Sequence, residues 1–145
     1  MTQFELAVVL RKLSNIKKYL GQLKTIAQSA QADNGGDFIQ QLAIERLLHL
    51  LVESAIDINM HLAVRNDHLP PDTYRDSFIT AGRIGAIAVN LAQQLAPSAG
   101  LRNRLVHDYD EVDPEIVRRS IAFALELFPQ YLQQVQDYLR QIEAE

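Results

Sequence analysis

Thr2-Gln3-Phe4-Glu5-Leu6-Ala7-Val8-Val9-Leu10-Arg11-Lys12-Leu13 opens the chain with a helix start followed at once by a helical repeat. The Thr2 hydroxyl can accept from the Glu5 amide while the Glu5 carboxylate reaches back, the reciprocal pattern of a capping box. Leu6, Val9, Leu10, Leu13, Ile16, Leu20, Leu23 and Ile26 then recur three and four apart, which predicts an amphipathic helix to about residue 29. Asp33-Asn34-Gly35-Gly36 ends it, because these residues tolerate the left-handed backbone that a helix excludes.

The same grammar repeats downstream. Asp37 is placed to cap a second long helix, with Leu42, Leu47, Leu48, Leu51, Ala55, Ile58 and Leu62 as its apolar stripe, up to Arg65. The two segments predict a long antiparallel hairpin. Pro70-Pro71 closes it, and Asp72 is read as the cap of a shorter third helix. Gly82 and Gly85 are expected to bend or split the segment from Tyr74 to Leu95, and Pro97 to stop it. A brief segment follows, from Ser98 to about Asp108. Asp113-Pro114-Glu115 combines a capping Asp, a proline at the first helical position and an acid in the first turn. Ile116, Val117, Ile121, Leu125, Phe128, Leu132, Val135, Leu139 and Ile142 mark the last helix, with a kink expected at Pro129. No stretch alternates like a strand for long. The expectation is an all-α, up-and-down bundle of four to six helices, one domain over residues 1–145.

Composition narrows the function. The 145 residues are 48% hydrophobic and 22% charged, enough to bury a core. Cysteine is absent, which removes disulfides, thiolate metal sites and cysteine nucleophiles, and suits a cytoplasmic location. Met1 leads directly into the amphipathic pattern, so no signal peptide is expected. No uninterrupted apolar run approaches the roughly 20 residues of a membrane span. The formal net charge of −4 means that any nucleic-acid role must rest on a local basic site, a pocket or a dimer groove.

One short stretch concentrates chemistry: Leu101-Arg102-Asn103-Arg104-Leu105-Val106-His107-Asp108-Tyr109. Cleaving RNA through its own 2′-hydroxyl needs an acid, a base and a cation for the charge that grows on the phosphoryl oxygens. Histidine can serve as acid or base near neutrality, and arginine grips phosphate with paired donors. Arg102 and His107 could thus do this work without a metal. Their spacing is awkward, since five residues on a regular helix turn through roughly 140°. Convergence requires a helix end between them, a cleft admitting both flanks, or a second copy across a two-fold axis. Arg83, Arg104, Arg118 and Arg119 are candidates for a basic approach to RNA, though surface charge explains them equally well. Glu45 with His49, and Asp57 with His61, share helix faces; local ion pairs are the simpler reading and no metal site is expected. No Gly-rich stretch leads into a P-loop.

This stretch, continued by Val112-Asp113, resembles the R-x4-H-x-Y form of the HepT-like branch of the HEPN ribonucleases. The likeness extends over nearly the whole chain: Glu45-Arg46, Glu53 and Asp57 on the second helix, then Tyr74-Arg75-Asp76-Ser77-Phe78, then the final helix. Gly100-Leu101 departs from it, where such proteins often carry a bulkier or aromatic residue.

The resemblance implies a dimeric helical bundle whose two motifs face a shared cleft. It implies a metal-independent endoribonuclease acting on mRNA or tRNA, the toxin of a type II/VII-like toxin–antitoxin pair, its homodimer open to assembly in a larger hetero-oligomer. Arg102 would bind the scissile phosphate, His107 would be general acid or base, and Asn103 would support them. The implied partner is a nucleotidyltransferase antitoxin of the MNT type, which would transfer AMP to Tyr109. No cofactor is implied. The alternative is a non-catalytic helical module that docks a nucleotidyltransferase, which the acidic net charge favours.

Overall fold

A computed structural model describes residues 1–66, 69–107 and 113–145, the side chains of Val106 and His107 excepted. Six helices are present among the described residues: α1 (Gln3–Ala32), α2 (Phe38–Arg65), α3 (Tyr74–Arg83), α4 (Val89–Leu95), α5 (Ser98–His107) and α6 (Pro114–Ala144). The Thr2–Glu5 box forms in both directions, at 2.8 and 3.1 Å. A second box, Asp37 with Gln40, starts α2. The turn between them runs through positive φ at Asn34, Gly35 and Gly36. Gly36 is needed twice over, since a Cβ there would also lie 2.9 Å from that of Ala30.

The hairpin is closed by Val9, Leu13, Ile16 and Leu23 of α1 against the α2 stripe of Leu48, Leu51, Ala55, Ile58 and Leu62, all buried. Each large side chain so buried contributes about 1.5–3 kcal/mol. Length and composition alone would let α2 cross a bilayer, but these side chains are buried within the bundle. Asp57, expected beside His61, is instead 3.0 Å from Lys12 of α1. A cation on the neighbouring helix reaches the carboxylate where the histidine on its own helix does not.

Two other expectations change in detail. Thr73, not Asp72, caps α3, its hydroxyl accepting from the Asp76 amide. Gly85, at φ +84°, marks the break between α3 and α4. Gly82 stays inside α3, where a Cβ would lie 2.7 Å from that of Ala92, so its role is to let α4 approach. α4 has no side-chain cap of its own; the Ala88 amide before it donates to Gln134 Oε1 of α6. α6 continues on both sides of Pro129, anchored there by buried Leu127, Phe128 and Tyr131.

Tyr131 carries a polar thread through this core. Its hydroxyl donates to Asn59 Oδ1 at 2.7 Å and lies 3.1 Å from the Ala55 carbonyl. Asn59 Nδ2 donates to Ser77 Oγ, which donates to the Tyr74 carbonyl at 2.6 Å. Phe78 and Phe128 pack edge-on against the Tyr131 ring. Burial pushes the Tyr131 phenol well above its usual pKa, so the group acts as a neutral donor. The thread ties α6 to α2 and α2 to the first turn of α3.

Two substitutions test this packing. Tyr131→Phe removes the donor and strands a buried amide oxygen, and thermal unfolding should show a loss of about 1–3 kcal/mol, roughly 3–10 °C in Tm. Gly82→Ala should also destabilise, by about 1–3 kcal/mol. Helix propensity alone predicts the opposite sign, a gain of about 1 kcal/mol; a Tm that rises would show that α4 is not held by this contact.

Candidate functional site

α5 is a short helix seated by Ser98, Leu101 and Leu105 on α2 and α3. Those residues, three and four apart, make the buried face. Arg102 falls at the edge of that face, so its side chain runs between helices and is only 13% exposed. Asn103 and Arg104 fall on the outer side and are exposed. α5 is continuous from Arg102 to His107, which excludes a helix end between them. The helical repeat therefore holds positions 102 and 107 roughly 140° apart. The His107 side chain and all of Tyr109 lie outside the described residues.

The surroundings of Arg102 come from three elements. Its Nε lies 3.5 Å from Glu53 Oε2 of α2. That nitrogen is buried and makes no hydrogen bond, so the contact is ionic only. The guanidinium carbon sits 4.7 Å above the centre of the Tyr74 ring, a cation–π stack. Nη1 reaches Asn103 Oδ1 at 3.5 Å, a long contact. Asn103 was expected to orient the imidazole or a phosphate oxygen, and among the described residues it meets the arginine instead. Nη2 has no partner among the described residues.

Glu53 is itself held from behind. His49 Nε2 lies 2.5 Å from the same Oε2, and His49 Nδ1 lies 3.0 Å from Arg46 Nη1. A guanidinium can only donate, so Nδ1 accepts and the imidazole proton sits on Nε2, facing the carboxylate. Burial raises the Glu53 pKa, but the His49 hydrogen bond and the adjacent Arg102 outweigh it and hold the group below the usual carboxylate range. Glu53 is thus an anion at neutral pH. The sequence reading set His49 beside Glu45; the structure turns the ring toward Glu53, whose carboxylate Arg102 shares.

Arg46, His49 and Glu53 are spaced three and four apart on one face of α2, a signal visible in the sequence but assigned there to nothing catalytic. Tyr74 carried no local signal, because its partner is 28 positions away in a different helix.

The four outlying arginines do not form one surface. Arg104 and Arg119 line an open groove of about 470 Å³ between α5 and α6, with Leu101 and Phe123 as apolar walls. Arg118 borders a different cavity, of about 750 Å³, between α1, α2 and α6. Arg118 and Arg119 both pair with Glu115, at 3.1 and 3.9 Å, and are largely exposed. Arg83 is exposed in the last turn of α3 and lines neither cavity. No group of three or more potential ligands for a metal occurs among the described residues.

Comparison with known proteins converges on one family. The family model Ribonuclease HepT-like matches residues 16–135. The tRNA nuclease HepT of Aphanizomenon flos-aquae is 41% identical over 145 residues, covering 100% of this chain and 99% of that protein. The mRNA nuclease HepT of Shewanella oneidensis is 28% identical, over 86% of this chain and 93% of its own length. Among solved structures, a toxin–antitoxin complex with AMP-PNP superposes at a TM-score of 0.81, with 26% identity, 90% of this chain and 98% of that one. The tri-AMPylated Shewanella oneidensis HEPN toxin in complex with MNT antitoxin superposes at 0.80, with 26% identity, 94% of this chain and 99% of that one. With the family model, the fold and a full-length relative in agreement, this chain belongs to the HepT-like ribonuclease family.

Proposed function

We propose that this protein is the ribonuclease toxin of a toxin–antitoxin pair, cutting tRNA or mRNA without a metal. The observation that carries the proposal is the end-to-end match, at 41% identity, to a tRNA nuclease HepT. The site geometry supports it: Arg102 is a cation held by Glu53 and Tyr74, and its Nη2 has no partner among the described residues.

In this reading the Arg102 guanidinium takes a phosphoryl oxygen of the scissile diester and stabilises the charge that develops there. His107 serves as general acid or base. The 2′-oxygen forms a bond to phosphorus, the bond from phosphorus to the 5′-oxygen breaks, and a proton passes from the first oxygen to the second by way of side chains. The products carry 2′,3′-cyclic phosphate and 5′-hydroxyl ends. Because α5 keeps positions 102 and 107 on different sides of one helix, a site shared between two copies of the chain is the arrangement that lets both flanks reach one phosphate. Asn103 supports Arg102 from the exposed side, and Arg104 with Arg119 across the α5–α6 groove guides the strand.

The partner is an MNT-type nucleotidyltransferase, and silencing follows from transfer of AMP to Tyr109. The solved complex of the Shewanella oneidensis toxin, tri-AMPylated and bound to its MNT antitoxin, supports this. An added AMP would bring bulk and a phosphate anion beside the motif arginine and compete with RNA for it. Such a pair acts in the cytoplasm. The net charge of −4 favours a second reading, in which the chain only docks the nucleotidyltransferase and presents it with a target.

Incubating the unmodified protein with a mixed RNA pool in excess EDTA separates the two. The wild type should cut and leave cyclic phosphate ends, while Arg102→Ala and His107→Ala should each lose about 100-fold or more. A His107→Ala protein as active as wild type would sink the mechanism. Incubation with the cognate nucleotidyltransferase and ATP should add one or more AMP units by mass. Tyr109→Phe should abolish that gain; a gain that persists would place the modification elsewhere.

A further inference from the structure

A guanidinium that served only to hold the fold together would complete its hydrogen bonds. Among the described residues Arg102 does not. Its Nε is buried against Glu53 without a hydrogen bond, its guanidinium carbon sits over the Tyr74 ring, and its Nη2 has no partner among those residues. Two rigid elements fix those contacts. Glu53 sits on the core helix α2, and its carboxylate is fixed by the His49 Nε2 proton, itself fixed by Arg46. Tyr74 sits in the first turn of α3, whose carbonyl is held by Ser77 and through it by the buried Asn59–Tyr131 thread.

We propose that Glu53 and Tyr74 are positioning residues for Arg102: the carboxylate locks the Nε edge and the ring locks the plane, so the Nη edge is presented to the phosphate in one orientation. His49 acts one step further back, as the neutral donor that keeps Glu53 aimed at the arginine. This deepens the ribonuclease reading and rests on it for its catalytic consequence, but the clamp itself is a statement about one side chain.

The physical reason is loss of freedom. A free arginine has four rotatable bonds and about 2 kcal/mol of rotamer entropy to surrender when it grips a phosphate. The clamp removes that freedom during folding rather than during reaction. Glu53 also makes the cation tolerable at 13% exposure before substrate arrives. It does so from the Nε side, so its negative charge stands away from the Nη edge.

The test has two readouts. The first is the Nε–Hε resonance of Arg102 in a nitrogen-15 correlation spectrum of the whole protein, identified by its disappearance in Arg102→Lys. A locked guanidinium gives a sharp, displaced signal, and Glu53→Ala and Tyr74→Leu should each collapse it to the solvent-averaged position. The second is cleavage of a short synthetic oligoribonucleotide. Glu53→Ala should lower kcat about 10–100-fold with KM moving less than about threefold, since the cation remains but its aim is lost. Tyr74→Leu should lower kcat about fivefold, and Tyr74→Phe, which keeps the ring face, should restore most of it. On an Arg102→Lys background, Glu53→Ala should cost little more.

An unchanged resonance in both variants overturns the clamp. So does a rise in KM at constant kcat, which would make Glu53 and Tyr74 direct RNA contacts, or a full additional loss on the Arg102→Lys background. If the wild type cuts no RNA while the resonance is sharp and collapses in both variants, the clamp stands and the nuclease reading falls.

Discussion

Helix α2 has more neighbours than it has polar faces. α1, α3, α5 and α6 all pack on it, and Leu48, Leu51, Ala55, Ile58 and Leu62 are buried among them. The remaining elements settle where α2 leaves room. α5, at only ten residues, has little stability of its own in water, so α2 and α3 decide where it rests. That places the motif arginine against the polar face of α2 that carries Arg46, His49 and Glu53.

Two chains of polar contacts run through the bundle. One is neutral and buried as far as Ser77, from Tyr131 through Asn59 and Ser77 to the Tyr74 carbonyl. The other is charged and half-buried, from Arg46 through His49 and Glu53 to Arg102. They meet at the guanidinium, which touches the ring of Tyr74 and the carboxylate of Glu53. Buried polar groups weaken a core unless each finds a partner. Here the neutral chain is satisfied throughout, whereas the charged chain ends on an Nε without a hydrogen bond. An anchored Nε edge at the end of a well-ordered chain, with the Nη edge turned away from it, is what a ligand-binding cation requires. It must be aimed, and it must keep some of its bonding capacity for the ligand.

Much of the fold was legible in the sequence because its signals are local. Thr2 and Glu5, Asp37, and Asp113-Pro114 act within one turn, and each helix start they announce is present. The apolar repeats of the long helices are likewise local records of burial. Where a local signal misled, a distant contact had intervened. Gly82 reads as a breaker, and only the position of Ala92 makes it a packing residue. Asp57 reads as a partner for His61 until Lys12 is brought to it from α1.

By itself the sequence determined the starts of the three long helices, the all-helical class and the candidate pair Arg102 and His107, because hydrogen-bond periodicity and side-chain chemistry are properties of neighbouring residues. Tertiary structure alone decided what Arg102 touches. Glu53 and Tyr74 lie 49 and 28 positions before it in the chain, and no periodicity links residues so far apart. The unbroken course of α5 likewise decided that Arg102 and His107 cannot share one face, a constraint of the backbone that the motif's letters do not carry.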